Sequence, residues 1–305
     1  MVKLGIIGFS KDNGHPFSFS SILNGFNENE YKKTEWLGIL NYLKKRNPTE
    51  IASLSAMVTY IWTQNIELSK QIALCSNIPN IAENVLDMID NIDGVIIARD
   101  DYESHKELAE PFLVKNIPVF IDKPLTLKKE ELFWYKKFYD KGLLMTTSGL
   151  RYCVELDKVR NNKVDLGEVR KINCTIVNDW EKYGIHMIDA TLGILNNEPP
   201  ISVSCIKNKK FETYLISFRN GLVCQIDCMG EDIFSFDYSI YGTKRIYKTE
   251  LRDNFSAFKC TLENFIFQIN TKKPYMSWES INFSILILIA GIESKNKNEK
   301  ILISE

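Results

Sequence analysis

Five short apolar runs punctuate the first half of the chain: VKLGIIG (2–8), AMVTYIW (56–62), GVIIA (94–98), PVFID (118–122) and LLMTTS (143–148). Unbroken runs of this length, with little alternation, suit strands buried on both faces. Segments with helical periodicity lie between them, at 18–26, 65–77, 104–114 and 127–139. A further helix is expected at 35–45, inside a Lys-, Asn- and Glu-rich insert over 27–55, and it is ended by Pro48. Alternating strand and helix predicts an α/β Rossmann-type domain over residues 1–150, built on a doubly wound parallel sheet. Ligands of such sheets collect at the carboxyl ends of the strands, near the point where strand order reverses.

After residue 150 the pattern changes. VRKINCTIVND (169–179), PPISVSCIK (199–207), TYLISFRNGLVCQIDCMG (213–230) and FSFDYSIYGTKRIYKTE (234–250) read as consecutive strands with turn signals between them. YGIHMIDATLGIL (183–195) is helical, and two apolar helices, 258–270 and 280–295, close the chain. The expectation is an α+β domain over 151–305 with a large, mostly antiparallel open sheet, serving substrate binding and oligomerisation.

Composition narrows the class. A 45% hydrophobic share in 305 residues suffices for two cores, and a net charge of -1 gives no pull toward nucleic acid or an anionic membrane. Its longest late apolar run, Ile285 to Ile292, is far short of the ~20 residues of a membrane span, and residues 1–9 begin a strand, not a targeting segment. The seven cysteines include no C-x-x-C pair, which reads as free thiols in a reducing cytoplasm. No metal-ligand spacing is present.

The turn after the first strand, GFSKDNG (8–14), carries the first candidate chemistry. Dinucleotide fingerprints use three glycines: one for the tight turn, one for backbone approach to the pyrophosphate, one for helix packing. Gly8 can serve the first, and Asn13-Gly14 supplies flexibility after a short insertion. Ser10 replaces the second glycine, and its hydroxyl, with the N–H groups around Phe9 and the following helix N-terminus, can hold a phosphate. At the second strand's end, Thr63 and Gln64 stand where an acid would bind the adenosine ribose, so NAD and NADP stay equally open.

The order of motifs is informative. FIDKPLTLKKEEL (120–132), LGEVRKI (166–172), the G-x-H-x-x-D of 184–189 and the C-terminal stretch TKKPYMSWESINFSILILIAGIESKNKNEKI (271–301) follow a dinucleotide-type turn. Together they resemble the glucose–fructose oxidoreductase/inositol dehydrogenase/MocA (Gfo/Idh/MocA) family of nicotinamide-dependent oxidoreductases, over almost the whole chain. The resemblance implies NAD or NADP as cofactor and a sugar, cyclitol or sugar derivative as substrate. It places Lys123 beside the nicotinamide and the substrate hydroxyl, where a cation stabilises developing alkoxide. His186 falls on the family's catalytic base. Ala98, Arg99 and Asp100 stand where the family's Thr-Pro lines the cofactor cleft, and His105 is expected to pack or cap the next helix. Homodimers or homotetramers through the open sheet are implied as well.

The chain departs from that pattern at one place. Many family members carry Asp four residues before the histidine; here the residue is Lys182. Helical spacing would put its ammonium on the face of His186, pointing to an anionic substrate with Arg151 as second charge partner. Asp189, one turn after His186, could orient the ring in place of the missing acid or be structural, and Tyr183 is a further polar candidate. These changes keep open a non-catalytic nucleotide- or sugar-sensing protein that retains the fold.

Overall fold

The computed structural model describes residues 1–303. It divides into two compact units, Met1–Thr146 with Phe258–Tyr275, and Thr147–Ala257 with Met276–Glu305.

Six strands form the sheet of the first unit: β1 (Val2–Ile7), β2 (Ala56–Trp62), β3 (Asn80–Ile81), β4 (Gly94–Ile97), β5 (Val119–Asp122) and β6 (Leu144–Thr147). Their order is β3-β2-β1-β4-β5-β6, with parallel pairing of β1 to β2 and β4. Order reverses between β1 and β4, which is the switch point of a Rossmann sheet. The β4 and β5 strands are buried at every position, as their unbroken apolar runs require.

Helices of this unit are α1 (His15–Asn24), α2 (Glu28–Tyr31), α3 (Leu37–Lys44), α4 (Ile66–Cys75), α5 (Tyr102–Val114) and α6 (Lys129–Tyr139). α1 starts three residues earlier than periodicity predicts, because Pro16 sits in its first turn, where a missing N–H costs nothing. The expected boundary at residue 150 needs correction. The last eighteen residues of the first unit, 258–275, come from far along the chain. Phe265 packs at a tilt against Phe120 with centroids 5.8 Å apart, and Ile269 lies 2.7 Å from where a Cβ on Gly94 would be.

In the second unit, α7 (Asp157–Arg160), α8 (Ile185–Ile194), α9 (Asn254–Thr271, whose first turn only belongs here) and α10 (Trp278–Lys297) accompany a seven-stranded sheet. Its strands are β7 (Val169–Ile176), β8 (Pro200–Lys207), β9 (Glu212–Phe218), β10 (Val223–Cys228), β11 (Asp237–Gly242), β12 (Ile246–Glu250) and β13 (Ile301–Leu302). The order is β12-β11-β7-β10-β9-β8-β13, antiparallel except where β10 runs parallel to β7. Trp180 anchors this core: it is fully buried, stacks on Tyr214 at 4.0 Å, and donates its indole N–H to the Leu288 carbonyl at 2.9 Å. Gly291 of α10 is bare because the Trp180 ring occupies the place of a side chain.

Candidate active site

In the first unit the polar side chains gather at the carboxyl ends of β1, β2, β4 and β5. The Gly8–Gly14 turn is packed from within. A Cβ on Gly8 would come 2.9 Å from Pro16, and one on Gly14 2.6 Å from the Trp36 ring. These glycines therefore admit the chain's own side chains. Gln64 clasps the turn, accepting from the Phe9 N–H at 3.0 Å and donating to the Phe9 carbonyl at 2.6 Å. Arg99 forks onto Asp101 at 2.7 and 2.8 Å and also donates to Gln64 at 3.0 Å. Ser10 donates to the Asp100 carboxylate and accepts from the Asp100 N–H at 3.1 Å. The Ser10 hydroxyl is thus engaged with Asp100, where a phosphate-holding role had been expected.

Lys123 is 5% exposed, with Nζ 3.6 Å from the Asp100 carboxylate. An ion pair this deep is costly to desolvate, so it adds little to stability by itself. Thr63 is also buried, and its hydroxyl is held by Ser69 and the Asn65 carbonyl. Ala98 is fully buried at the end of β4. His105 is buried with Nδ1 3.1 Å from the Leu125 carbonyl and Nε2 3.1 Å from the Arg99 carbonyl, and burial lowers its pKa. That is a packing role, as its place at the helix start suggests.

A feature missed in the sequence lies beside Lys123. The Asp122 carboxylate is buried and takes His15 Nδ1 at 2.5 Å and Asn13 Nδ2 at 3.3 Å. Burial alone would raise its pKa, but the charge and hydrogen bond of His15, with Lys123 and Asn13, outweigh it and hold it at about 2. The His15 ring lies 5.0 Å from both Phe19 and Phe258. A signal was present, since His15 directly follows the glycine turn, but a partner 107 residues away is invisible to spacing.

The second unit holds His186 at the start of α8. Its Nδ1 lies 2.7 Å from the Ser148 hydroxyl, and the Tyr183 ring meets it edge-on at 5.3 Å. Two expectations are corrected here. Asp189 does not reach the imidazole: it is buried, and its carboxylate receives the Ser148 N–H at 2.6 Å, the Thr147 hydroxyl at 3.2 Å and the Ser284 hydroxyl. Arg151 is buried as well, directed to the Asp189 carbonyl and Asn197. Neither is presented to a ligand. Lys182 sits in a π-helical turn, Trp180–Gly184, that precedes the α-helix. The 100° step assumed between Lys182 and His186 therefore does not hold. Its backbone N–H is capped by Asp179 at 2.8 Å.

Comparison with known proteins fits this geometry. Residues 39–143 match the profile of the Gfo/Idh/MocA oxidoreductase family, described as having an NAD-binding Rossmann fold. Over that segment, about a third of the chain, the sequence resembles this family. No curated protein matches it in sequence. Among solved structures, the likeness in fold extends over the full chain. Myo-inositol dehydrogenase from Lactobacillus casei, in complex with NAD(H) and myo-inositol, aligns at TM-score 0.77 and 13% identity, covering 100% of this chain and 97% of its own. Scyllo-inositol dehydrogenase from the same species, with NAD(H) and scyllo-inositol, gives 0.77 and 13%, covering 100% of both. Myo-inositol 2-dehydrogenase from Lactobacillus plantarum gives 0.76 and 13%, covering 99% of both. At these identities the likeness is one of fold.

The cofactor class of a Gfo/Idh/MocA domain is a nicotinamide dinucleotide, and the donor set here suits one. Arg99 and Lys123, each paired with an aspartate, and the α1 N-terminus, whose first N–H is taken by Asn13 at 2.9 Å, stand at the ends of β4, β5 and β1. The Phe9 N–H and the Ser10 hydroxyl have internal partners, so these two groups would have to exchange them for phosphate.

Proposed function

We propose that the protein is an NAD(P)-dependent oxidoreductase acting on a secondary hydroxyl, or the corresponding ketone, of a sugar or cyclitol. The observation that carries this reading is the buried Lys123 ammonium at the carboxyl end of β5, beside a switch-point turn, in a fold shared with inositol dehydrogenases. A bound nicotinamide would supply the hydride acceptor or donor. Lys123 stabilises negative charge on the substrate oxygen and exchanges its proton with it; Asp100 lies 3.6 Å from its ammonium. Within the second unit, His186 is the candidate proton-transfer group, and Tyr183 packs against its ring. Gly8–Gly14, Thr63 and Ala98–Asp100 are the cofactor-side residues, and Lys182 remains a candidate partner for an anionic substituent. A homodimer or homotetramer through the open sheet, with no nucleic-acid or membrane partner, completes the reading.

A second reading is a nucleotide- or sugar-sensing protein without turnover. It draws on the internally bonded turn, where Gln64, Arg99 and Asp100 occupy polar groups a dinucleotide would use. Turnover separates the two. Under the first reading, Lys123→Met and His186→Ala each lower the rate of NAD(P)H oxidation with a keto-cyclitol by roughly 10²–10⁴-fold, the usual worth of a positioned proton-transfer group. A rate unchanged in both variants would leave only the second.

A further inference from the structure

Arg99 and Asp101 form a pair beside the glycine turn, and the aspartate gives up a helix cap to make it. The guanidinium puts Nε and Nη2 onto the two Asp101 carboxylate oxygens at 2.8 and 2.7 Å. Its Nη1 reaches Gln64 at 3.0 Å and the Gly8 carbonyl at 3.4 Å, so the cation sits against the turn that follows β1. Nη2 keeps a second N–H for which the described residues supply no acceptor. Asp101 is the N-cap residue of α5, yet no side-chain hydrogen bond caps that helix. Aspartate is among the preferred N-cap residues, because its carboxylate can accept from the first unpaired N–H groups. Burial alone would raise its pKa, but the guanidinium outweighs burial and holds the carboxyl below its ordinary range, so Asp101 is an anion at neutral pH. The outer partner of the pair is the aspartate: its side chain is 35% exposed, against 13% for Arg99.

A bidentate carboxylate occupies a guanidinium fork as a phosphate would. We propose that Arg99 is a diphosphate-binding residue of the first unit and that Asp101 is its internal competitor, displaced from the fork by a nucleoside diphosphate and moving to cap α5. This rests on the reading of the β1 turn as a dinucleotide site. Other donors around that turn are engaged: the Phe9 N–H with Gln64 at 3.0 Å, the Ser10 hydroxyl with Asp100, and Lys123 Nζ at 3.6 Å from the same carboxylate. Where a fingerprint glycine lets bare backbone approach the diphosphate, this chain offers a side-chain fork. Two anions cannot both fill it, so Asp101 and the diphosphate bind Arg99 in competition. The cap gives the displaced carboxylate new N–H partners, at a helix N-terminus where negative charge is favoured. Affinity for the diphosphate is then set by the fraction of molecules in which the fork is open.

Isothermal titration of the full-length protein with ADP and with adenosine tests this without turnover. Asp101→Asn keeps a residue able to cap α5 and removes the competing charge. It should bind ADP roughly threefold or more tighter than the parent, a gain that damage to the fold does not produce. Asp101→Ser, with another capping residue, should gain likewise. Arg99→Met should weaken ADP binding by roughly tenfold or more, and should abolish the gain when combined with Asp101→Asn. Adenosine, which carries no phosphate, should bind all of these variants alike. Asp101→Asn binding ADP no better than the parent overturns the inference, as does a gain that persists in Arg99→Met or extends equally to adenosine. If the gain appears but the protein reduces no keto-cyclitol with NAD(P)H, the oxidoreductase reading fails and the role of Arg99 and Asp101 stands.

Discussion

At the residue scale, the pairing of Asp122 with His15 shows how strongly environment sets chemistry. The folded carboxyl titrates at about 2 against an ordinary 3.8. A depressed value means the stabilisation is complete above the unfolded pKa and is lost as pH falls from about 4 through about 2. Linkage puts it on the order of 2 kcal/mol. Urea midpoints measured across that range should therefore fall steeply in the parent protein. In His15→Ala the loss should begin at higher pH, because the buried carboxylate keeps only Lys123 and Asn13. Identical profiles would mean that the imidazole does not hold Asp122. Lys123 and His186 could be proposed from the sequence because each sits in a recognisable motif. His15, Gln64 and Ser148 were not, since their partners are 38 to 107 residues away. For the same reason the sequence left Asp189 open between orienting His186 and a structural role, and did not show that Arg151 is directed to the Asp189 carbonyl and Asn197.

At the scale of elements, the short apolar runs translated directly into β1, β2, β4, β5 and β6, because strands buried on both faces leave few polar positions. Helix ends were less legible, and the π-helical turn before α8 was not legible at all; one extra residue in a turn has no signature in periodicity. That turn is held by Trp180, and Gly291 of α10 makes room for it. Gly291→Ala sets two effects against each other. Alanine gains about 1 kcal/mol of helix propensity. The new methyl collides with an indole that is stacked on Tyr214 and hydrogen-bonded to Leu288, so it cannot yield. Overpacking of this kind costs roughly 1–3 kcal/mol, and here the upper end is expected to win. Gly38→Ala in α3 is the control: nothing lies within 4 Å of its Cβ position, so it should stabilise by up to about 1 kcal/mol. Chemical denaturation of both variants checks the pair; a stabilised Gly291→Ala would contradict the packing described.

At the scale of the molecule, the two-part plan was readable from the change of pattern near residue 150, but the return of 258–275 to the first unit was not. An apolar helix late in the chain announces that it will be buried without naming the core that buries it. Only the rings of Phe258 and Phe265, set against Phe19 and Phe120, reveal its place. The central claim about this molecule is that the Rossmann unit binds a nicotinamide dinucleotide and uses it. Isothermal titration of the full-length protein with NADH and NADPH tests that most directly. The account predicts saturable binding of at least one, with Gly8→Val weakening it by tenfold or more, since a side chain there would displace Pro16 and the turn. No binding of either nucleotide at millimolar concentration, by a protein that is folded, would contradict it.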